Sequence, residues 1–206
     1  MFITFEGIEG CGKTTQAKLL ASYLEAQGCK TLLTREPGGT SISEKIRTIL
    51  LDVDHSSMLP ETELLLYLAS RSQHTAELII PVLKEGYIVI CDRYTDSTLA
   101  YQGGGRQMDM STLLELTTFA SYNLKPDIVL LIDISVQLAM KRINEKKHDR
   151  LEQETTEFYE RTRKRFLDVA NRESDRYIII NGDDDIESIH RVISKSVVQK
   201  MKDGLL

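Results

Sequence analysis

Residues 7–14 read Gly-Ile-Glu-Gly-Cys-Gly-Lys-Thr and match G-x-x-x-x-G-K-[ST] in full. The chemistry of that spacing is phosphate binding. Glycines let the backbone curl until its N–H groups point at phosphate oxygens, and a helix opening just after adds the positive end of its dipole. In such a cradle Gly7, Ile8, Glu9, Gly10, Cys11, Gly12, Lys13, Thr14 and Thr15 surround the phosphates of a nucleoside triphosphate. Lys13 would reach the β and γ phosphates, and the Thr14 hydroxyl would ligate Mg²⁺. The motif implies triphosphate binding more firmly than it implies any one reaction.

A second group, Asp92-Arg93-Tyr94, ends an apolar run. On a parallel strand beside the cradle's strand, Asp92 would approach the metal and Arg93 the transferred phosphate. For an isolated Asp-Arg pair, a salt bridge at a strand end is the simpler reading. Glu9 lies within the cradle, where a carboxylate is unfavourable unless it faces the metal or a sugar hydroxyl; otherwise it is a solvent-facing loop side chain. The run Lys141-Arg142 through Lys146-Lys147 has the look of a solvated face.

The elements that must position these groups are short apolar runs alternating with helical patterns. Strands are expected at Phe2–Glu6, Thr31–Arg35, Tyr87–Cys91, Ile128–Asp133 and Tyr177–Ile180, each apolar enough to be covered on both faces. Leu19, Leu20, Tyr23 and Leu24 predict a helix stopped by Gly28. Phe158, Thr162, Phe166 and Val169 mark another, and Ile186, Ile189, Ile193, Val197 and Met201 the last. Glu61 to Lys84 reads as a long helix kinked near Pro81. The alternation predicts an α/β fold with a parallel sheet, whose ligands bind beyond the carboxyl ends of the strands.

Bulk properties narrow the functions. The chain has 206 residues and a net charge of -5, which argues against a nucleic-acid-binding surface and for local positive potential in a pocket. Three cysteines without a CxxC pair argue against a disulfide framework or zinc site and for a reducing cytoplasm. Glu6 interrupts the N-terminal apolar residues, so a signal peptide is not expected, and no apolar run reaches membrane-spanning length. One domain over residues 1–206 is expected, with no repeat or linker.

Taken together, the blocks resemble the bacterial thymidylate kinases. The signature runs from Asp92-Arg93-Tyr94-Thr95-Asp96-Ser97 through Thr98-Leu99-Ala100-Tyr101-Gln102 to Gly103-Gly104-Gly105. Thr34-Arg35-Glu36-Pro37-Gly38-Gly39-Thr40 with Glu44 and Arg47 is the second match, and Asp149-Arg150-Leu151-Glu152 the third and weaker one. The resemblance implies a P-loop kinase fold with a five-stranded parallel sheet, a lid at about 142–152, and a homodimer. It implies phosphoryl transfer from ATP to dTMP, giving dTDP, with Mg²⁺. Lys13, Arg93, Glu9, Arg150 and Lys146 would be catalytic, with Lys147 a further lid candidate. Glu36, Pro37, Arg47, Tyr67, Arg71, Arg93, Ser97, Tyr101 and Gln102 would hold the acceptor, and Thr14 and Asp92 the metal. Tyr67 would stack on the base, Arg71 and Gln102 would read its edge, and Tyr101 would crowd the sugar 2′ position.

Bland alternatives stand beside these. Tyr67 sits among leucines and reads equally as core, Gln102 could cap the glycine turn, and Arg150 could hold the lid through Glu152 or Glu154. Another nucleotide kinase on the same scaffold differs only in its base pocket. A P-loop switch protein would carry N-K-x-D after a late strand, and Asn181-Gly182-Asp183 lacks the lysine.

Overall fold

The computed structural model describes residues 1–143 and 149–204. Strands β1 (Phe2–Glu6), β2 (Thr31–Arg35), β3 (Ile88–Asp92), β4 (Ile128–Asp133) and β5 (Tyr177–Asn181) form one parallel sheet in the order β2-β3-β1-β4-β5. This is the α/β architecture expected from the alternating pattern. The third strand is shifted by one residue from its expected limits. Tyr87 gives its N–H to the Val82 carbonyl in a turn, whereas Asp92 pairs with Phe5 and Arg35.

Burial along the strands departs from the expectation that all are covered. β1 and β3 are wholly buried and β4 nearly so, but Leu33 of β2 and Ile179 of β5 are exposed. The cause is strand order, which leaves β2 and β5 at the edges. Across the central strands the side chains alternate. Ile3, Phe5 and Ile90 join Leu20 and Leu24 in the larger core, while Phe2, Val89 and Cys91 join Ile79 and Tyr94 on the other face. Each fully buried aliphatic side chain of this kind contributes about 1.5–3 kcal/mol.

The helices among the described residues are α1 (Lys13–Ala26), α2 (Ser41–Leu51), α3 (Pro60–His74), α4 (Ile80–Lys84), α5 (Thr95–Thr98), α6 (Met110–Ala120), α7 (Val136–Ile143), α8 (Thr156–Arg172) and α9 (Ile186–Lys202). Gly28 follows α1 with φ 83°, the left-handed stop its position predicts. α3, a π-helical turn at Thr75–Ile79 and α4 make up the long helical run. The distortion precedes Pro81, whose ring crowds the carbonyl of Glu77; the turn is widened so that Ile80 N–H bonds Thr75 oxygen. Ile186, expected in the buried stripe of the last helix, opens α9 and is exposed, while Ile189, Ile193 and Val197 are buried. No helix among the described residues is long and apolar enough to cross a membrane.

A second π-helical segment, Leu99–Gly105, carries the glycine run and lies against α8. A Cβ on Gly105 would stand 2.4 Å from Phe158 Cε2 and 2.9 Å from Thr162 Oγ1. The glycine leaves the room that the Phe158 ring and the Thr162 hydroxyl of α8 fill. Gly105→Ala should therefore cost on the order of 1–3 kcal/mol by overpacking. The check is a urea titration, expected to show a lower midpoint at unchanged slope; a wild-type midpoint would mean this contact is not made.

Candidate active site

The cradle forms where β1 hands over to α1. A Cβ on Gly7 would lie 2.4 Å from the Ile132 carbonyl oxygen of β4, so the chain can pass that strand only as glycine. Ile8 and Cys11 point their side chains into the core, and what they offer a ligand is backbone. Gly12, Thr14 and Thr15 are exposed at the head of α1. Thr40, Asp109, Thr155 and Asp185 cap α2, α6, α8 and α9, but α1 has no side-chain cap and no acid in its first turn. Its leading N–H groups are thus left for an anion. Lys13, 5% exposed, folds over the loop and donates from Nζ to the Ile8 carbonyl at 2.9 Å.

β3 lies beside β1, so Asp92 arrives next to the cradle. Thr14 Oγ1 donates to Asp92 Oδ2 at 2.5 Å, while Asp92 Oδ1 is buried with no hydrogen-bond partner among the described residues. Two hard oxygen donors, one unused, suit a divalent cation. No cluster of three or more His, Cys, Asp or Glu among the described residues could hold a metal by protein ligands alone. An ion here would draw its other ligands from phosphate and water, as Mg²⁺ commonly does.

Arg93 follows with φ 73°, a strained region for a non-glycine residue. Its guanidinium donates to the Gly7 carbonyl at 3.0 Å, Ser97 Oγ at 3.2 Å, Glu9 at 2.6 Å and the Tyr101 hydroxyl at 3.1 Å, and lies 4.9 Å from the Tyr101 ring centroid. Burial pulls the Glu9 pKa upward, but the charges of Lys13 and Arg93 outweigh it and hold the acid at about 2. Glu9 is thus neither free nor simply solvent-facing; it braces Arg93. Beneath them, Glu6 accepts from Tyr94 N–H at 2.8 Å and from Ser97 Oγ at 2.5 Å. Burial, and next the charge on Asp96, push Glu6 up to about 8.

A cleft of about 870 Å³, counting space open to solvent, runs from the cradle across the carboxyl ends of β1, β2 and β3. Glu9, Lys13, Thr14, Glu36, Pro37, Arg47, Tyr67, Arg71, Asp92, Arg93, Ser97, Tyr101 and Gln102 all line it. Spacing by four puts Tyr67 and Arg71 on one face of α3, and Tyr67 stands on the cavity wall while Leu64 and Leu68 fill the core. Arg71 is 2% exposed and bonds Glu36 at 2.8 Å, Thr98 at 2.7 Å and the Tyr94 carbonyl at 2.8 Å. His74 holds the second oxygen of Glu36 at 3.1 Å, and Arg47 donates to the Pro37 carbonyl at 2.8 Å. Gln102 does not cap the glycine turn; its amide donates to Glu63 at 2.9 Å.

The lid expectation needs correction at Arg150. Its guanidinium is buried away from the cleft, donating to the Leu50 carbonyl at 2.8 Å and pairing with Glu63 at 2.7 Å, rather than with Glu152 or Glu154. A buried guanidinium needs a carboxylate, and Glu63 supplies one. Asp149 and Glu152 close a reciprocal turn, each accepting the other's backbone N–H, at 3.0 and 2.9 Å. Lys146 and Lys147 lie outside the described residues.

Three residues that hold this site were not singled out from sequence. Arg142, assigned to a solvated face, donates to the Gly10 carbonyl at 3.1 Å. Glu6 was read as a strand end and as a break in the N-terminal apolar residues, although an acid closing an apolar strand before the cradle was the available signal. Glu63 stands four residues before Tyr67, on the same face of α3.

The family model described as thymidylate kinase matches residues 5–193. A thymidylate kinase of Pelobacter propionicus is 47% identical over 205 residues, spanning 96% of this chain and 94% of that protein. One of Geobacter sulfurreducens is 46% identical over 207 residues, spanning 97% of each. The crystal structure of thymidylate kinase from Ehrlichia chaffeensis superposes with a TM-score of 0.80 at 38% identity, over 96% of this chain and 98% of that one. With an uncapped helix head, a cation-lined cleft and relatives matched over nearly their whole length, the chain belongs to the thymidylate kinase family.

Proposed function

We propose that the protein transfers the γ-phosphoryl group of ATP to dTMP, giving ADP and dTDP, with residues 1–206 acting as one domain. The observation that carries this reading is the continuity of the cleft from Lys13 and the α1 head to Tyr67, Arg71 and Gln102. A donor triphosphate and an acceptor nucleotide fit its two ends. ATP lies on the cradle, and the dTMP phosphate lies toward Glu36, Pro37 and Arg47. Tyr67 stacks on the base, Arg71 and Gln102 meet its edge, and Tyr101 crowds the sugar.

The acceptor phosphate has a second pKa of about 6 and is largely a dianion near neutral pH. It needs no general base. One of its oxygens bonds to the γ-phosphorus as the bond to the β–γ bridging oxygen breaks, and ADP leaves with that electron pair. The task is to bring two anions into line and spread the charge that builds up between them. Lys13, Arg93 and the α1 amides do this, with Glu9 and Ser97 holding Arg93. Asp92 and Thr14 would hold Mg²⁺, which supplies further charge neutralisation at the donor phosphates when bound. Arg150 is a lid anchor and stands outside the catalytic set. The unpaired Cys11, Cys29 and Cys91 support a reducing, cytoplasmic setting.

The protein is a homodimer in this reading. Phe119 is 81% and Leu65 59% exposed. The Ser72 and Tyr122 hydroxyls, 3.2 Å apart, tie α3 to the end of α6. Exposed apolar side chains on adjoining helices support burial against a second copy.

With ATP, Mg²⁺ and purified protein, a coupled ADP-release assay across dTMP, dUMP and dCMP should show fast turnover with dTMP and weak turnover with the others. No ATP consumption with dTMP, or equal rates for all three, would overturn the assignment. Lys13→Ala should lower kcat by at least about 10²-fold at wild-type circular dichroism; near-normal turnover would remove Lys13 from the chemistry. Sedimentation should give twice the chain mass for the wild type and one chain mass for Phe119→Glu, and a wild-type monomer would end the dimer proposal.

A further inference from the structure

Glu63 is 1% exposed, and its carboxylate gathers donors from separate parts of the chain. Oε1 accepts from Gln102 Nε2 at 2.9 Å and Arg106 Nε at 3.1 Å. Oε2 accepts from Arg106 Nη2 at 2.9 Å and lies 2.7 Å from Arg150 Nη2. Glu154 closes the cluster against Arg106 at 2.6 Å. Burial pushes the Glu63 acid up, but the bonds and charge of Arg106, with Gln102 and Arg150, outweigh burial and hold it below the usual carboxylate range.

An ionised carboxylate has no proton to give, so a glutamine amide can meet it only through its NH₂ end. Left alone, an amide turned by 180° serves as either donor or acceptor. Beside Glu63 that freedom is gone, and the carbonyl Oε1 is what Gln102 offers to the cleft it lines. Arg71, which lines the same cleft, carries only donors.

We propose that Glu63 is a positioning residue that makes Gln102 an acceptor toward the base. A base with a ring N–H beside a carbonyl, as in thymine or uracil, then matches the pair Gln102 and Arg71. Cytosine shows a bare ring nitrogen beside an amino group and meets an acceptor against an acceptor and a donor against a donor. The inference rests on the proposed function, since it names how that site chooses its base.

The test is the ratio of kcat/KM for dTMP to that for dCMP. Glu63→Gln replaces the obligatory acceptor by an amide that tolerates either orientation of Gln102, and the ratio should fall by about tenfold or more. A merely structural role would lower both values alike and leave the ratio at its wild-type level, which would overturn the proposal. The double variant E63Q/Q102E restores an acceptor toward the base and keeps the charge within the cluster, so the ratio should return to within about threefold of wild type. If Glu63→Gln does not fold, the double variant decides: a folded enzyme that uses dCMP as well as dTMP would sink the idea. A wild-type protein inert toward dTMP would instead bring down the proposed function, and is told apart by that single assay.

Discussion

A guanidinium pinned by four oxygens is the constraint on which the rest of the site depends. Arg93 reaches the Gly7 carbonyl of the cradle, Glu9 within it, and Ser97 and Tyr101 beyond β3. Those acceptors come together only because β3 pairs with β1. The left-handed backbone at Arg93 is a cost of about 1–3 kcal/mol, offset by Glu6, which fixes the next turn through Tyr94 and Ser97. The charge is thus set in place before any phosphate arrives, which is the condition for electrostatic stabilisation without reorganisation.

The same economy governs the helix ends. Capped helices satisfy their leading amides internally, and α1 does not. Its head faces the cleft together with Lys13 and the unused oxygen of Asp92. Each of these groups is unfavourable for a protein on its own. Together they make a place suited to phosphate oxygens and, at Asp92, to a hard cation. At the other end, α3 carries Glu63, Tyr67 and Arg71 on one face, and the buried acid there ties the cleft wall to the Asp149–Glu152 turn through Arg150. The structure therefore joins the α3 wall of the cleft to the segment beyond α7 through one carboxylate.

The strands, the cradle and the helix stripes were legible in the sequence because they are local. A period of alternation, a glycine run and a left-handed stop such as Gly28 depend on neighbours within a few residues. The strand edges were less legible: β5 looks as apolar as the central strands, and the order of pairing is what leaves it and β2 at the edges. Most residues lining the cleft were found by resemblance and by motif, and the structure gathers them from the loop after β1, the ends of β2 and β3 with the residues that follow, α1, α2, α3, α5 and the segment after it, the 149–152 turn and α8.

By itself the sequence determined that a phosphate cradle follows a buried strand and opens a helix, and that the fold is parallel α/β. What it left undecided was which charges are spent on one another. Arg142 was read as solvated and holds the cradle, while Arg150 was read as catalytic and is buried on Glu63. Nothing in the spacing of these residues separates the two cases, because an arginine's partner is chosen by distance through space, and residues 63 and 150 are brought together only by the packing of the chain around the sheet.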